Sequence, residues 1–178
     1  MIQGLIRLVV WLLGLALVVL IASKFLFDPA YTVSSAVVVR VPPEKVWGKV
    51  GNLDQWPSWV KGIERLEVVA GGGGEVGSRA DLRVYNGFQG FEMSIQVVEV
   101  FPAARLRYQV IGGPQHGLQS TIALKPGADG KSTQVTWDES HAPGGLWGNL
   151  IAAVIKSIAT THHDESLNQL KFKLEREI

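Results

Sequence analysis

Cysteine is absent from the 178 residues, and with it go disulfide scaffolds, thiolate zinc sites, iron–sulfur clusters and cysteine nucleophiles. An excess of either charge is missing too. Lys+Arg number 17 and Asp+Glu 16, a formal net charge of +1, and no stretch has the basic excess of a nucleic-acid binder. Nucleic acid is therefore not an expected partner. No G-x-S-x-G, P-loop or G-x-G-x-x-G motif occurs, and Gly71–Gly74 lacks the Lys and Ser/Thr of a phosphate loop. No cofactor is implied. Charged residues make up 19% and hydrophobic residues 47%, which excludes a disordered chain. The length suits one domain with an appendage and is too short for two full-sized domains.

The appendage is apolar. From Leu8 to Ser23 the sequence LVVWLLGLALVVLIAS carries no charge, and Arg7 and Lys24 bracket it. A helix over residues 4–27 with snorkelling basic ends would match a hydrocarbon core of about 30 Å, and it has no polar face to mark it as a soluble surface helix. The sequence therefore predicts a transmembrane anchor over residues 1–27, a linker at 28–30 and a domain over 31–178. A cleaved signal peptide fits less well, because Leu20 or Ile21 stands where a small residue would precede the cut. The slight basic bias at the start places the N-terminus inside. In a bacterium the domain would then lie on the periplasmic side of the inner membrane, with residues 4–27 as the membrane contact.

Asp28-Pro29-Ala30 ends that helix. Tyr31 to Val41 reads as a strand, and Pro42-Pro43-Glu44 as a helix start with proline at the first position. Asp54 is placed to cap a second short helix through Trp56 and Trp59. From Ile63 to Ser140 the period becomes two. Ala80, Leu82 and Val84 alternate with Arg79, Asp81 and Arg83, and Asn86-Gly87 marks a turn. Phe91, Met93, Ile95 and Val97 alternate until Val98 and Val100 take over the apolar positions, a parity flip that predicts a β-bulge. Further rows run through Leu106, Tyr108 and Val110, then Leu118, Ser120, Ile122 and Leu124, then Thr133, Val135 and Trp137. After Pro143-Gly144-Gly145 a long helix carries two stripes. These are Trp147, Ile151, Val154 and Ile158, then His163, Leu167, Leu170 and Leu174. The step of five between them points the stripes to nearly opposite sides, so a kink, a π-bulge or a break is expected near Thr160-Thr161. The fold class is α+β: a curved antiparallel sheet of about seven strands gripping one long helix.

This order, with Val39-Arg40-Val41-Pro42-Pro43-Glu44-Lys45-Val46-Trp47, Asp54-Gln55-Trp56-Pro57-Ser58-Trp59, Glu99-Val100-Phe101-Pro102, Ser132–Trp137 and Leu167-Asn168-Gln169-Leu170-Lys171, resembles the START/Bet v 1-like (SRPBCC) superfamily. The nearest branch is that of the polyketide cyclase/dehydrase and lipid-transport-like proteins. The resemblance covers about residues 31–176. It departs at Val41, where alanine is usual, and at His163, where a large apolar residue is common. It implies a helix-grip fold whose internal cavity takes an apolar ligand.

The residue pattern independently predicts apolar walls facing the last helix. The expected ligand-binding residues are Leu82, Phe91, Met93, Leu106, Tyr108, Ser120, Ile122 and Trp137 on the sheet, with Ile151, Val154 and Ile158 on the helix. Tyr108, Ser120 and His116 are the expected polar anchors. His162-His163-Asp164-Glu165 is not a metal site, because adjacent helical residues point about 100° apart and His162 with Glu165 supplies two ligands without a third. It reads as a solvated face with one half-buried histidine. Asp138, Glu139 and His141 lie together at a strand end, where Trp137 points in, Asp138 out and Glu139 is ambiguous. Glu139 and His141 form a minimal acid–base pair. Trp56 and Trp59 are expected to close the core rather than to line an entrance. The leading expectation is a membrane-anchored, non-enzymatic binding module for an apolar small molecule or lipid. The alternatives are a cyclase or dehydratase using Tyr108, His116 and His141, and an interaction domain with a filled cavity.

Overall fold

The computed structural model describes residues 2–26, 30–85, 87, 89–142 and 148–177; at positions 2, 5, 20, 23–26 and 148–153 it describes the backbone alone. Helix α1 (Ile2–Leu26) precedes strand β1 (Tyr31–Val39), helix α2 (Pro43–Val50) and a 3-10 turn (Leu53–Ser58). Strands β2 (Ile63–Ala70), β3 (Arg79–Tyr85), β4 (Gly90–Phe101), β5 (Arg105–Gly112), β6 (Gln119–Pro126) and β7 (Thr133–His141) follow, and helix α3 (Gly148–Arg176) ends the chain. The seven strands form one antiparallel sheet in the order β1-β7-β6-β5-β4-β3-β2. Local sequence accounts for most of this. Pro43 starts α2 with Glu44 in its first turn, where a missing N–H costs nothing and an acid meets the helix dipole. The 3-10 turn is capped by Asn52, whose side chain accepts from the Asp54 N–H at 3.0 Å, rather than by Asp54 itself.

Alternation positions the interior. In β3, Ala80 and Leu82 are buried while Arg79, Asp81 and Arg83 are exposed, and Arg83 bridges Glu64 and Glu92 on the outer face at 3.0 and 3.2 Å. The expected bulge is present: Val97 pairs with Tyr108 and Glu99 with Arg107, leaving Val98 as the extra residue. Such a bulge bends the strand and adds twist, which curves the sheet towards α3. Beneath α2 the tryptophans close the core as expected. Trp56 and Trp59 are buried, and their indole N–H groups donate to the carbonyls of Val50 (2.9 Å) and Lys49 (3.1 Å). Trp56 meets Trp59 and Tyr108 edge-on, and Trp59 meets Trp137 in the same way, at centroid separations of 6.2, 5.0 and 5.8 Å. This aromatic floor is the rigid end of the grip.

Two expectations are corrected. Helix α3 is continuous through Thr160-Thr161, with neither a break nor a π-bulge. A straight helix turns residues five apart by about 140° from one another, so it presents one stripe to the sheet. The stripe chosen is His163, Leu167, Leu170 and Leu174, all buried, whereas Val154 (59% exposed) and Ile158 (36%) are not. Trp147 and Asn86 lie outside the described residues, as do the loop at 143–147 and the first two linker positions. The second correction concerns α1. Its large apolar side chains from Ile6 to Val19 stand exposed. Among the described residues no helix is long and apolar enough to cross a membrane. The expected transmembrane anchor is overturned by that finding. The localisation built on it, an inner membrane with a periplasmic domain, falls with it.

The choice of stripe can be measured. Leu170→Ala should cost about 2–5 kcal/mol of unfolding free energy in denaturant titrations, and Val154→Ala should change it by no more than about 0.5 kcal/mol. Equal effects would contradict the observed face of α3.

Candidate functional site

A cavity of about 980 Å³ lies between the concave face of the sheet and the first half of α3. Leu82, Val84, Phe91, Met93 and Ile95 form its apolar wall, Trp56, Tyr108 and Trp137 its floor, and Ile155 and Ile158 its helical side. Phe91 and Met93 point inward yet are only partly buried. Gly62 stands at the rim with φ +79°, where a Cβ would collide with the Tyr85 carbonyl oxygen; only glycine fits this approach of β2's entry to β3's exit. Of the residues expected to bind ligand, Leu82, Phe91, Met93, Tyr108, Trp137 and Ile158 line the cavity. Leu106 and Ile122 are wholly buried in the core instead. Val154 points to solvent, and the side chain of Ile151 lies outside the described residues. Among the expected anchors, Tyr108 and His116 line the cavity. Ser120 does not: its hydroxyl accepts from the Trp137 indole N–H at 2.7 Å and donates to the Asp138 carbonyl at 3.3 Å.

The polar end of the cavity is a group that the alternation read only in part. Strand β7 runs on to His141 and pairs with β1 from Tyr31↔His141 onward, so Glu139 falls on the inward side with Trp137. Its carboxylate is 11% exposed. It accepts from the Tyr31 hydroxyl at 3.3 Å and from His163 Nε2 at 3.1 Å. His163 is 1% exposed rather than half-buried, and its ring stacks on Trp137 at 4.1 Å and 12°. This explains a polar residue in an otherwise leucine stripe: the ring packs as a flat apolar plate and its one inward N–H meets a carboxylate. His163 Nδ1 has no hydrogen-bond partner among the described residues. Burial raises the Tyr31 hydroxyl well above the ordinary tyrosine range, with the Glu139 charge adding to it, and burial raises Tyr108 in the same way. Both are neutral donors at physiological pH. The sequence marks Glu139 as a cavity residue only through the parity of 137 and 139, which is ambiguous at a strand end, and carries no comparable signal for Tyr31. Among the described residues no group of three or more His, Cys, Asp or Glu side chains could hold a metal ion.

His162 lines the cavity and its Nε2 donates to the Lys61 carbonyl at 2.6 Å. Burial pushes this ring below the ordinary histidine range, with neighbouring His163 acting in the same direction; the Lys61 bond, Glu139 and Glu165 pull it back. The unfolded chain takes up this proton near pH 6.5 and the folded chain only at lower pH, so the neutral ring's contribution to stability is lost as pH falls below about 6.5. His141, also lowered by burial, acts in the same sense. Thermal melts from pH 7.5 to 5 should therefore show a smaller fall in Tm for His162→Gln, which keeps an N–H for Lys61, than for the wild type. An identical fall would contradict the assignment.

The sequence profile of the family described as polyketide cyclase/dehydrase and lipid transport matches residues 30–175. No curated protein matches the chain. Among solved structures, the Zhui aromatase/cyclase from a Streptomyces species is 15% identical with a TM-score of 0.70, covering 83% of this chain and 94% of its own. A START superfamily protein from Mycobacterium smegmatis is 17% identical with a TM-score of 0.68, covering 83% and 99%. A protein from Thermus thermophilus is 18% identical with a TM-score of 0.70 over the same shares. At these identities the likeness is one of fold, and it is the helix-grip fold built above. With the profile match over most of its length, the chain belongs to the polyketide cyclase/dehydrase and lipid transport family of the START/Bet v 1-like (SRPBCC) superfamily.

Proposed function

We propose that this protein is a binding module that holds an apolar small molecule or lipid in the cavity between sheet and α3, without chemistry on it. The carrying observation is the cavity itself, about 980 Å³ and walled by Leu82, Phe91, Met93 and Ile95. That is the upper end of the usual range for small-molecule sites, and its make-up of apolar walls with few polar groups is theirs too. Such a volume weighs against the filled-cavity interaction domain, whose bulky side chains would occupy it. Native mass spectrometry of the full chain, followed by identification of what co-purifies, tests the reading. A stoichiometric lipid, fatty alcohol, quinone or similar apolar species is expected. An apo mass with no thermal shift against a panel of such compounds would overturn it.

A second reading, a cyclase- or dehydratase-like enzyme, has one observation in its favour. His116, His141 and His162 all line the cavity, with Glu139 beside them, and a carboxylate near a histidine is the minimum for acid–base work on a carbonyl compound. The aromatase/cyclase neighbour carries that activity in its name. In the same experiment this reading predicts a bound compound that is released lighter by one water, and the carrier reading predicts release unchanged.

A further inference from the structure

The cavity is apolar on most sides and has one deep acceptor. Glu139 is the carboxylate at its inner end, and the groups around it come from four elements: Tyr31 on β1, Tyr108 on β5, His141 on its own strand, and His162 and His163 on α3. No Lys or Arg lies within ion-pair distance of it among the described residues. Lys61, the basic side chain at the rim, is turned towards Glu165 at 3.9 Å.

Its hydrogen bonding is incomplete. A carboxylate offers about four lone-pair sites, and among the described residues one is used on each oxygen. The Tyr31 bond to Oε1, at 3.3 Å, is long beside the roughly 2.5–2.7 Å of a strong O–H···O⁻ contact. His163 gives Oε2 one N–H, and its other ring nitrogen has no acceptor for a second proton. Two other inward donors are engaged elsewhere: the Trp137 indole on Ser120 and His162 Nε2 on the Lys61 carbonyl. A buried acceptor with spare lone pairs, in a wall that is apolar on most sides, sets the chemistry of whatever head group reaches it. A donor there gains a charge-assisted bond, and an anion meets a like charge in a low-dielectric site.

We propose that Glu139 is the recognition pole of the cavity and that it selects amphiphiles whose head donates a hydrogen bond, a hydroxyl or an amine, over those headed by a carboxylate. This rests on the reading of the cavity as an apolar-ligand site. Tyr31 and His163 hold the carboxylate in place, and the ligand's tail lies along Leu82, Phe91 and Met93 towards the opening.

The test is calorimetric titration of the full chain at pH 7.5 with decan-1-ol, decylamine and decanoate, three ligands of one chain length. Alcohol and acid partition differently from water, so the readout is the alcohol-to-acid affinity ratio, compared between variants. In Glu139→Gln the ratio should fall about tenfold from its wild-type value, the size of one charge-assisted bond or one like-charge contact. Tyr31→Phe, which vacates Oε1, should raise it and so tests the pole even if the glutamine variant fails to fold. A ratio unchanged in Glu139→Gln, or level or falling in Tyr31→Phe, would overturn the pole while leaving the cavity reading intact. Failure of all three ligands to bind the wild type would overturn both.

Discussion

A straight helix has only one face to give to a sheet, and in this molecule that limit decides where the cavity is. Helix α3 carries two apolar stripes separated by a step of five, and as one continuous helix it cannot turn both to the sheet. The second stripe wins because it meets a complete partner. Leu167, Leu170 and Leu174 pack into the core with Val39, Val46 and Trp59, where each buried leucine side chain contributes roughly 1.5–3 kcal/mol. Earlier on the helix, Val154 and Ile158 stay exposed. The space between sheet and helix, walled by Phe91 and Met93 on one side and Ile155 and Ile158 on the other, is the cavity. The opening is thus a consequence of helix register.

The same register puts His163 under the sheet, and the rest of the site follows from satisfying it. A wholly buried imidazole needs a flat surface and a partner for its N–H. Trp137 supplies the first and Glu139 the second. Trp137 is itself held by Ser120 below it and by Trp59 at its edge, and Glu139 is reached from the other side by Tyr31 at the start of β1. A polar cluster in a core is expensive unless each member is paired. Here all but one ring nitrogen is paired, and the carboxylate that closes the cluster keeps one edge towards the cavity. Structural need and ligand recognition therefore meet in a single side chain.

Much of this was legible in the sequence, because the strands alternate and their turns are marked. The period-two rows placed Leu82, Phe91, Met93, Tyr108 and Trp137 on the concave face, and the parity flip at Val97-Val98 located the bulge. What was not legible depends on tertiary pairing. The exposure of Val154 and Ile158 follows from which stripe packs, and periodicity marks stripes without ranking them. Ser120 reads as a cavity hydroxyl until Trp137 is seen to occupy it. Glu139 reads as a strand-end residue until the pairing of Tyr31 with His141 extends β7 past it. The apolar N-terminal run reads as a membrane span from its composition, yet among the described residues no helix is long and apolar enough for that.

The central claim is that the concave face is open to ligand rather than filled. The absence of cysteine from the chain makes this directly measurable, since a single introduced thiol is then the only one. Met93→Cys on the cavity wall and Val97→Cys on the same strand but fully buried can be labelled with a small water-soluble maleimide under native conditions. The account predicts that position 93 reacts at least about tenfold faster, because position 97 reacts only through opening of the fold, and that decan-1-ol slows position 93 alone. Equal, slow labelling at both positions would mean a closed or filled interior and would contradict it.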